Sequence, residues 1–266
     1  MSDIILETDR LRKEFGALVA VDDVSLQVRA GSFHSIIGPN GAGKTTLFNL
    51  LSSTLEPTSG RVIFKRRDIT RIPAHRTIHL GIGRSFQITN IFPNLTVLEN
   101  IRLASQALGH DNFRLFSSYR RFHRYEERAW EVAQLVGLAE RAGMLARTLP
   151  HGDQRKLELG MILAPDPELL LLDEPTAGMA AEQVPELMAL IQRIRQAGNK
   201  TVMLVEHNMN VVMSVSDTVT VMHLGQVLAE GNPAEIAANP EVQSAYLGGL
   251  YGDLAGNDLA GSQGAV

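Results

Sequence analysis

The sequence predicts an α/β fold with a mainly parallel sheet, antiparallel β strands near the N-terminus and a helical subdomain. Two runs, at 169–172 and 202–205, are apolar throughout, which is typical of strands buried on both faces of a parallel sheet. A glycine-rich segment at 38–43 lies between a predicted short strand and a predicted helix. From 96 to about 160 the pattern is helical and lacks the β-branched runs of a strand.

The composition is that of an ordinary globular protein, with 44% hydrophobic and 20% charged residues in a chain of 266. We expect a single domain, 1–266, with a core at 4–90 and 161–248, a helical subdomain at about 91–160 and a flexible tail at 249–266. The net charge of −4 argues against nucleic-acid binding, and the absence of cysteine excludes disulfides. No apolar run approaches the ~18 residues that span a bilayer, so we expect any membrane role to come through a partner.

Residues 38–46 fit G-x-x-x-x-G-K-[ST], a loop whose backbone N–H groups cradle nucleotide phosphates. Lys44 would lie between the β- and γ-phosphates, and the Thr45 hydroxyl would hold Mg²⁺. The alternative is a plain glycine-rich turn, but all nine positions and both flanks agree with binding of a nucleoside triphosphate. The predicted nucleotide contacts in this segment are Gly38, Pro39, Asn40, Gly41, Ala42, Gly43, Lys44, Thr45 and Thr46.

The N-terminal part predicts short strands at 4–8, at 19–28 with a turn at Asp22-Asp23, and at 33–37. Phe15 is predicted to lie in the connection between the first two strands. An exposed aromatic ring there could stack on an adenine, or it could be an ordinary packing residue.

Asp173 and Glu174 end the apolar strand that begins at Leu169. A buried parallel strand delivers the residues at its carboxyl end to the ligand crevice of an open α/β sheet. Asp173 would therefore reach Mg²⁺, directly or through water, and Glu174 would orient or deprotonate the attacking water. The alternative is a strand whose acidic end simply faces solvent.

Two further polar residues are candidates for the same site. Gln87 follows Gly81-Ile82-Gly83-Arg84 and could bind Mg²⁺ or the attacking water, although a lone glutamine is usually a solvated side chain. His207 follows the strand at 201–205, on the predicted ligand edge of the sheet, and is a candidate contact for the γ-phosphate.

A helical insertion begins at Thr96, where Thr96-Val97-Leu98-Glu99 has the form of a capping box. Within it, the stretch 114–128 is rich in arginine with interleaved aromatic residues. This pattern could mark a nucleic-acid surface, but aromatics three residues apart more often form one packed helix face. A docking surface for a protein partner is the better functional interpretation.

Taken in order, the phosphate loop, the Gln87 loop, the helical insertion, the L-L-L-L-D-E strand and the later histidine resemble the ATP-binding subunits of ABC transporters. The resemblance covers roughly residues 4–248 and implies the ABC ATPase fold, with ATP and Mg²⁺ as ligands. It implies an adenine-stacking aromatic at Phe15, the Q-loop glutamine at Gln87, the second Walker carboxylate at Asp173, the catalytic base at Glu174 and the switch histidine at His207.

One motif departs from this family. The signature is usually L-S-G-G-Q, and the matching stretch here is Leu149-Pro150-His151-Gly152-Asp153. Gly152 is retained, but the serine hydroxyl and the first glycine are absent. Proline is favoured at the first position of a helix, so the segment still suits a helix start whose N–H groups face a phosphate.

Finer similarity points to the branched-chain amino acid importer branch, which includes urea and amide importers. It rests on Phe15–Val21, the long insertion, D-E-P-T-A-G-M at 173–179, and the segments 239–242 and 245–248. Such subunits pair with a second ATP-binding subunit beneath two membrane permease subunits, and an extracytoplasmic binding protein acts indirectly. The resemblance therefore implies a peripheral position at the cytoplasmic face of the membrane.

We therefore predict an ATPase that drives solute import. One alternative is an ABC protein acting in DNA repair or translation, although the translation type usually carries two cassettes per chain. A kinase or GTPase is a second alternative, but no N-K-x-D guanine motif is present. A nucleotide-gated binding module without turnover is the third, and Glu174 and His207 argue against it.

Overall fold

The computed structural model describes residues 4–85, 91–109, 120–198 and 200–246 of the chain. The strands within these ranges are β1 (Ile4–Phe15), β2 (Leu18–Val24), β3 (Gln27–Arg29), β4 (Phe33–Ile37), β5 (Ser59–Phe64), β6 (Arg67–Asp68), β7 (Ile82–Arg84), β8 (Leu169–Asp173), β9 (Thr201–Val205), β10 (Thr218–His223) and β11 (Gln226–Gly231). The helices are α1 (Lys44–Leu51), α2 (Ala74–Thr77), α3 (Val97–Ser105), α4 (Arg120–Leu135), α5 (His151–Leu163), α6 (Val184–Gly198), α7 (Met209–Val215) and α8 (Pro233–Ala238).

The larger sheet has the order β11-β10-β4-β9-β8-β7 in the described part of the chain. Its strands pair in parallel except for the β10–β11 hairpin. All five residues of β4, β8 and β9 are buried, as the apolar runs of β8 and β9 predict, and β4 buries the polar His34 and Ser35 as well. The carboxyl ends of these three strands meet at one edge, where the register pairs Asp173 with Val205.

The smaller sheet is antiparallel and is built around the long strand β1. β1 pairs with β2 and β3 on one side and with β5 on the other, and β6 extends β5. These strands confirm the predicted antiparallel group near the N-terminus.

The helical insertion packs against the larger sheet through a shared apolar core. Ile101 of α3 and Val132 of α4 belong to the same buried cluster as Leu170 and Leu172 of β8. The predicted capping box at Thr96 is present, since Thr96 accepts from the Glu99 N–H and Glu99 accepts from the Thr96 N–H. The boundaries proposed for the core and the helical subdomain stay a prediction, and the tail at 249–266 lies outside the described residues.

The predicted turn at Asp22-Asp23 is wrong, because β2 continues through both residues to Val24. Asp22 is held in the strand by partners far away in the sequence. It forms an ion pair with Arg12 and accepts a hydrogen bond from Gln226 Nε2 at 2.9 Å. Asp23 has a positive φ of 55° at a point where the pairing of β2 with β1 is irregular. The Asp22-Asp23 pair therefore forms a β-bulge within the strand and not a turn.

The basic and aromatic stretch at 114–128 is described only in part, and the side chains of Phe116, Tyr119 and Phe122 lie outside the description. Tyr125 of α4 is buried, with 6% of its surface exposed. In the described part, this favours the interpretation as a packed helix face. None of the described helices has both the length and the apolar character that crossing a membrane needs.

Candidate active site

The predicted phosphate loop lies between β4 and α1, and two of its glycines are required by close contacts. A Cβ on Gly38 would lie 2.2 Å from the Met222 carbonyl oxygen, and one on Gly43 would lie 2.3 Å from that of Ala20. Gly43 precedes the first residue of α1 with a φ of 96°. The loop is thus pressed against the strands around it, and the N–H groups at the start of α1 lie beside it.

Lys44 is the first residue of α1 and is buried, with 6% of its surface exposed. Its Nζ donates hydrogen bonds to the carbonyl oxygens of Gly38 at 2.7 Å and Pro39 at 3.0 Å. Burial lowers the pKa of Lys44, and the nearby carboxylates of Glu174 and Asp173 act in the opposite direction. The ammonium group is therefore fixed inside the loop, close to two negative charges.

Asp173 ends β8 and is almost fully buried. Its backbone N–H donates to Ser85 Oγ at 2.9 Å, and the Arg84 guanidinium lies 3.8 Å from its Oδ2. Burial raises the pKa of Asp173, while Arg84 lowers it in part. Among the described residues, no hydrogen-bond donor reaches Oδ1 of Asp173, which leaves this oxygen available as a ligand.

Glu174 and His207 are brought together from the ends of two neighbouring strands. Glu174 Oε1 lies 2.5 Å from His207 Nε2, although the residues are 33 positions apart in the sequence. Glu174 has a positive φ of 49°, and its N–H donates to the Val205 carbonyl at 2.9 Å. A glutamate in this conformation is uncommon, and such strain often occurs at functional sites.

A buried carboxylate that the sequence pattern does not single out lies behind this pair. Glu206 is 4% exposed and follows β9 directly. It accepts hydrogen bonds from Thr176 on one side and from the His207 N–H, at 2.9 Å, on the other. The sequence feature that could have identified Glu206 is its position between the buried strand β9 and the candidate His207.

Residues 40–46 of the predicted phosphate loop, together with Glu174 and His207, line an open cavity of about 580 Å³. Phe15 is not among its lining residues; the ring is half-exposed at the end of β1, with Lys13 Nζ 5.2 Å from its centroid. Phe15 therefore lies in a strand rather than in the predicted connection. The residues lining the cavity are Leu18, Val19, Ala20, Asn40, Gly41, Ala42, Gly43, Lys44, Thr45, Thr46, Glu174, His207 and Leu224.

Besides Phe15, four predicted site residues that the structure describes do not line this cavity: Gly38, Pro39, Asp173 and Gly152. Asp173 lines a neighbouring cavity beside Ser85 and Arg155. Gln87 lies outside the described residues. Gly152 is buried in the first turn of α5, and a Cβ there would lie 2.9 Å from Gln183 Oε1. Pro150 caps this helix and His151 is its first residue, so the predicted proline at the first helical position is wrong by one residue.

Helix α5 contacts the segment that follows Glu174. Arg155 Nη2 donates to the Ala177 carbonyl at 3.1 Å, and Arg155 Nη1 donates to Glu158 at 2.8 Å. The His151 ring lies against Gly178, whose Cβ, if present, would be 3.3 Å from it. The start of α5 is therefore close to this segment within one chain.

Comparison with known proteins gives consistent matches. The model of the ABC transporter family matches residues 21–177, and that of the branched-chain amino acid ATP-binding cassette transporters matches residues 226–250. The chain is 41% identical over 254 residues to the high-affinity branched-chain amino acid transport ATP-binding protein BraF of Pseudomonas aeruginosa, with 93% of this chain and 99% of the relative covered. It is 40% identical over 253 residues to LivG of Salmonella typhimurium, which has the same description and the same coverage.

Solved structures agree. An ATP-binding cassette of an ABC transporter in its ADP conformation superposes with a TM-score of 0.80 at 29% identity, covering 93% of this chain and 100% of that chain. The predicted ABC ATPase fold is thus confirmed, and the similarity extends over both the sheet and the helical insertion. The chain belongs to the ABC transporter family, as one of its ATP-binding and ATP-hydrolysing cassettes.

Proposed function

We propose that this protein powers import of branched-chain amino acids, or of a related small polar solute such as urea or an amide. The observation that carries the proposal is the 2.5 Å contact between Glu174 and His207 at the cavity that Lys44 also lines. The names of the relatives supply the solute class, since BraF and LivG are branched-chain amino acid transport proteins. An ABC ATPase without a transport role is the alternative.

In this proposal, catalysis depends on positioning and charge stabilisation. Lys44 and the N–H groups of residues 38–46 bind the phosphates of ATP. Glu174 orients the attacking water and accepts its proton, and His207 holds Glu174 and contacts the γ-phosphate. Leu18, which is exposed at the rim, offers apolar surface to the base, and Phe15 stays a candidate for stacking.

The residues present fit a magnesium ion. Asp173 Oδ1 is a buried carboxylate oxygen with no donor among the described residues, and carboxylate and hydroxyl oxygens suit Mg²⁺. Asp173 and the Thr45 hydroxyl would hold the ion, with Gln87 as a third proposed ligand. When bound, the ion would neutralise charge on the phosphates.

Replacing Lys44 with alanine is expected to weaken ATP binding by about 10- to 100-fold, because a charge-assisted hydrogen bond to phosphate is lost. Isothermal titration with ATP measures the effect. Lys65→Ala is the matched control, since Lys65 is exposed, pairs with Glu168 and does not line the cavity. Equal affinity in Lys44→Ala and the wild type would contradict the proposed phosphate contact.

The proposed partners are a second ATP-binding subunit and two transmembrane permease subunits, with an extracytoplasmic solute-binding protein acting indirectly. The chain would then lie at the cytoplasmic face of the membrane. Phe92 supports a docking surface, because its ring is 50% exposed on a loop that helix α3 holds in place. The buried Asn100 binds both the N–H of Phe92, at 2.7 Å, and its carbonyl, at 3.1 Å.

A charged residue at Phe92 is expected to uncouple ATP hydrolysis from transport. Phe92→Asp should reduce solute uptake by about tenfold or more, as loss of a buried aromatic anchor does at other interfaces. ATPase activity of the purified protein should stay near normal, because Phe92 does not line the cavity. Leu135→Asp on α4 is the control, since Leu135 is similarly exposed. Normal uptake by Phe92→Asp proteoliposomes would exclude this surface.

The proposed function is tested by purifying the native complex from membranes and assaying it in proteoliposomes. We expect permease subunits to copurify, and ATP-dependent uptake of labelled leucine or urea when a binding protein is supplied. Copurification with ribosomes or DNA, without membrane proteins, would instead support the non-transport alternative.

A further inference from the structure

We propose that Glu206 is a positioning residue that holds the Glu174–His207 pair in its catalytic geometry. The proposal rests on the function proposed above and assigns a role to a residue that lies outside the cavity lining. Glu206 acts through its neighbours, because it is buried and its described hydrogen bonds go to Thr176, His207 and Asn208.

One carboxylate group joins the two segments that carry the pair. Oε1 of Glu206 accepts hydrogen bonds from the N–H of Thr176, at 3.2 Å, and from the Thr176 hydroxyl. Oε2 accepts from the N–H of His207 at 2.9 Å, with the Asn208 N–H more distant at 3.4 Å. Glu206 therefore binds His207 directly through its backbone N–H, and it binds the segment of Glu174 at Thr176, two residues after Glu174.

The backbone at Glu174 needs such support. Its φ of 49° is unfavourable for a glutamate, and strain of this kind persists only where the surrounding structure imposes it. The Glu174 N–H is bonded to Val205 at 2.9 Å, which fixes the start of the segment to β9. The Thr176–Glu206 bonds hold the same segment at a second point, two residues after Glu174. Between these two points the Glu174 side chain is directed at His207.

The chemistry of the cluster requires an acceptor on both sides. Every contact of Glu206 described here is donated to it by an N–H or a hydroxyl. A glutamine has one carbonyl oxygen and one NH₂ group, so in either orientation its NH₂ faces a backbone N–H, that of Thr176 or that of His207, and only the Thr176 hydroxyl could turn to accept from it. Glu206→Gln therefore keeps the shape of the side chain but loses the bond to the Thr176 N–H or the bond to the His207 N–H.

Steady-state ATPase kinetics test the role. We expect Glu206→Gln to lower kcat by about 10- to 100-fold, because small misplacements of catalytic groups have effects of this size, while KM for ATP stays within about twofold. Asp217→Asn is the control: Asp217 also accepts a backbone N–H, from Phe33 at 2.7 Å, but at the amino end of the strands. It should leave kcat near the wild-type value.

A double-mutant cycle separates positioning from general destabilisation. In a Glu174→Gln background, Glu206→Gln should reduce kcat by less than about threefold, since both substitutions act through the Glu174 carboxylate and residues acting through one group are not additive. Equal reductions in both backgrounds, or an unchanged kcat in the single variant, would overturn the proposal. If Glu206→Gln does not fold, Thr176→Val removes only the hydroxyl link and should still lower kcat with KM unchanged; a normal kcat there overturns it. Absence of ATPase activity in the assembled wild-type complex would instead contradict the proposed function.

Discussion

Replacing Glu174 with glutamine is expected to slow ATP turnover by about 10²- to 10⁴-fold, the usual contribution of a general base. Glutamine has nearly the same shape and can still accept a hydrogen bond from His207, so the geometry of the site is kept. It cannot take a proton from water at neutral pH. ATP affinity should stay within about twofold of the wild-type value, because the proposed phosphate contacts at 38–46 are untouched.

Phosphate release in single and multiple turnovers measures the rate, and equilibrium binding of ATP measures the affinity. Glu186→Gln is the control, because Glu186 is an exposed carboxylate on α6 that pairs with Lys156 at 2.7 Å. Turnover by Glu174→Gln at the wild-type rate would show that another group activates water. A parallel loss of affinity would mean that Glu174 supports the binding site and not the chemistry.

Gly152→Asp is expected to leave ATP binding by the monomer near normal and to lower turnover in the assembled pair by about 100-fold or more, since like charges at close range are strongly unfavourable. The reason depends on the proposed dimer, in which each ATP is closed over by the signature segment of the opposite subunit. Gly152 is not at the cavity of its own chain, which agrees with a role in the partner's site.

Gly152→Ala is the necessary control, because any side chain at this position meets Gln183 within the same chain. A Cβ would lie 2.9 Å from Gln183 Oε1, the end of a flexible side chain that can move. We expect the alanine variant to retain most of its activity, so the carboxylate and not the added volume would block turnover. Full, concentration-independent activity in dilute Gly152→Asp protein would exclude both the dimer mechanism and this assignment.

Elements with a strong local pattern could be predicted from sequence. The loop at 38–46 and the strands β8 and β9 lie where the glycine and apolar patterns place them. The strand at Asp22 could not be predicted from sequence, because residues from other strands, Arg12 and Gln226, hold Asp22 in β2. Phe15 was misplaced for a related reason: β1 continues to Phe15, and only Gly16 and Ala17 connect it to β2.

In the candidate site, the individual residues could be predicted from local motifs, but the contacts between residues far apart in the sequence could not. Sequence motifs identify Glu174 and His207 separately, but their 2.5 Å contact depends on the pairing of β8 with β9. The bonds of Glu206 to Thr176 span 30 positions and have no motif of their own. The burial of Gly152 against Gln183 likewise follows from how α5 packs, which no spacing in the sequence shows.

The contact between Arg155 and Ala177 limits how far the helical region can tilt without disturbing the catalytic edge. Ala177 is tied to α5 through its carbonyl, and the adjacent Thr176 is tied to the sheet through Glu206. Two adjacent residues span at most about 7 Å of chain, so very little slack separates the two attachments. A rocking motion of α5 against the sheet must therefore either break one of these hydrogen bonds or pull the peptide next to Glu174 along with it.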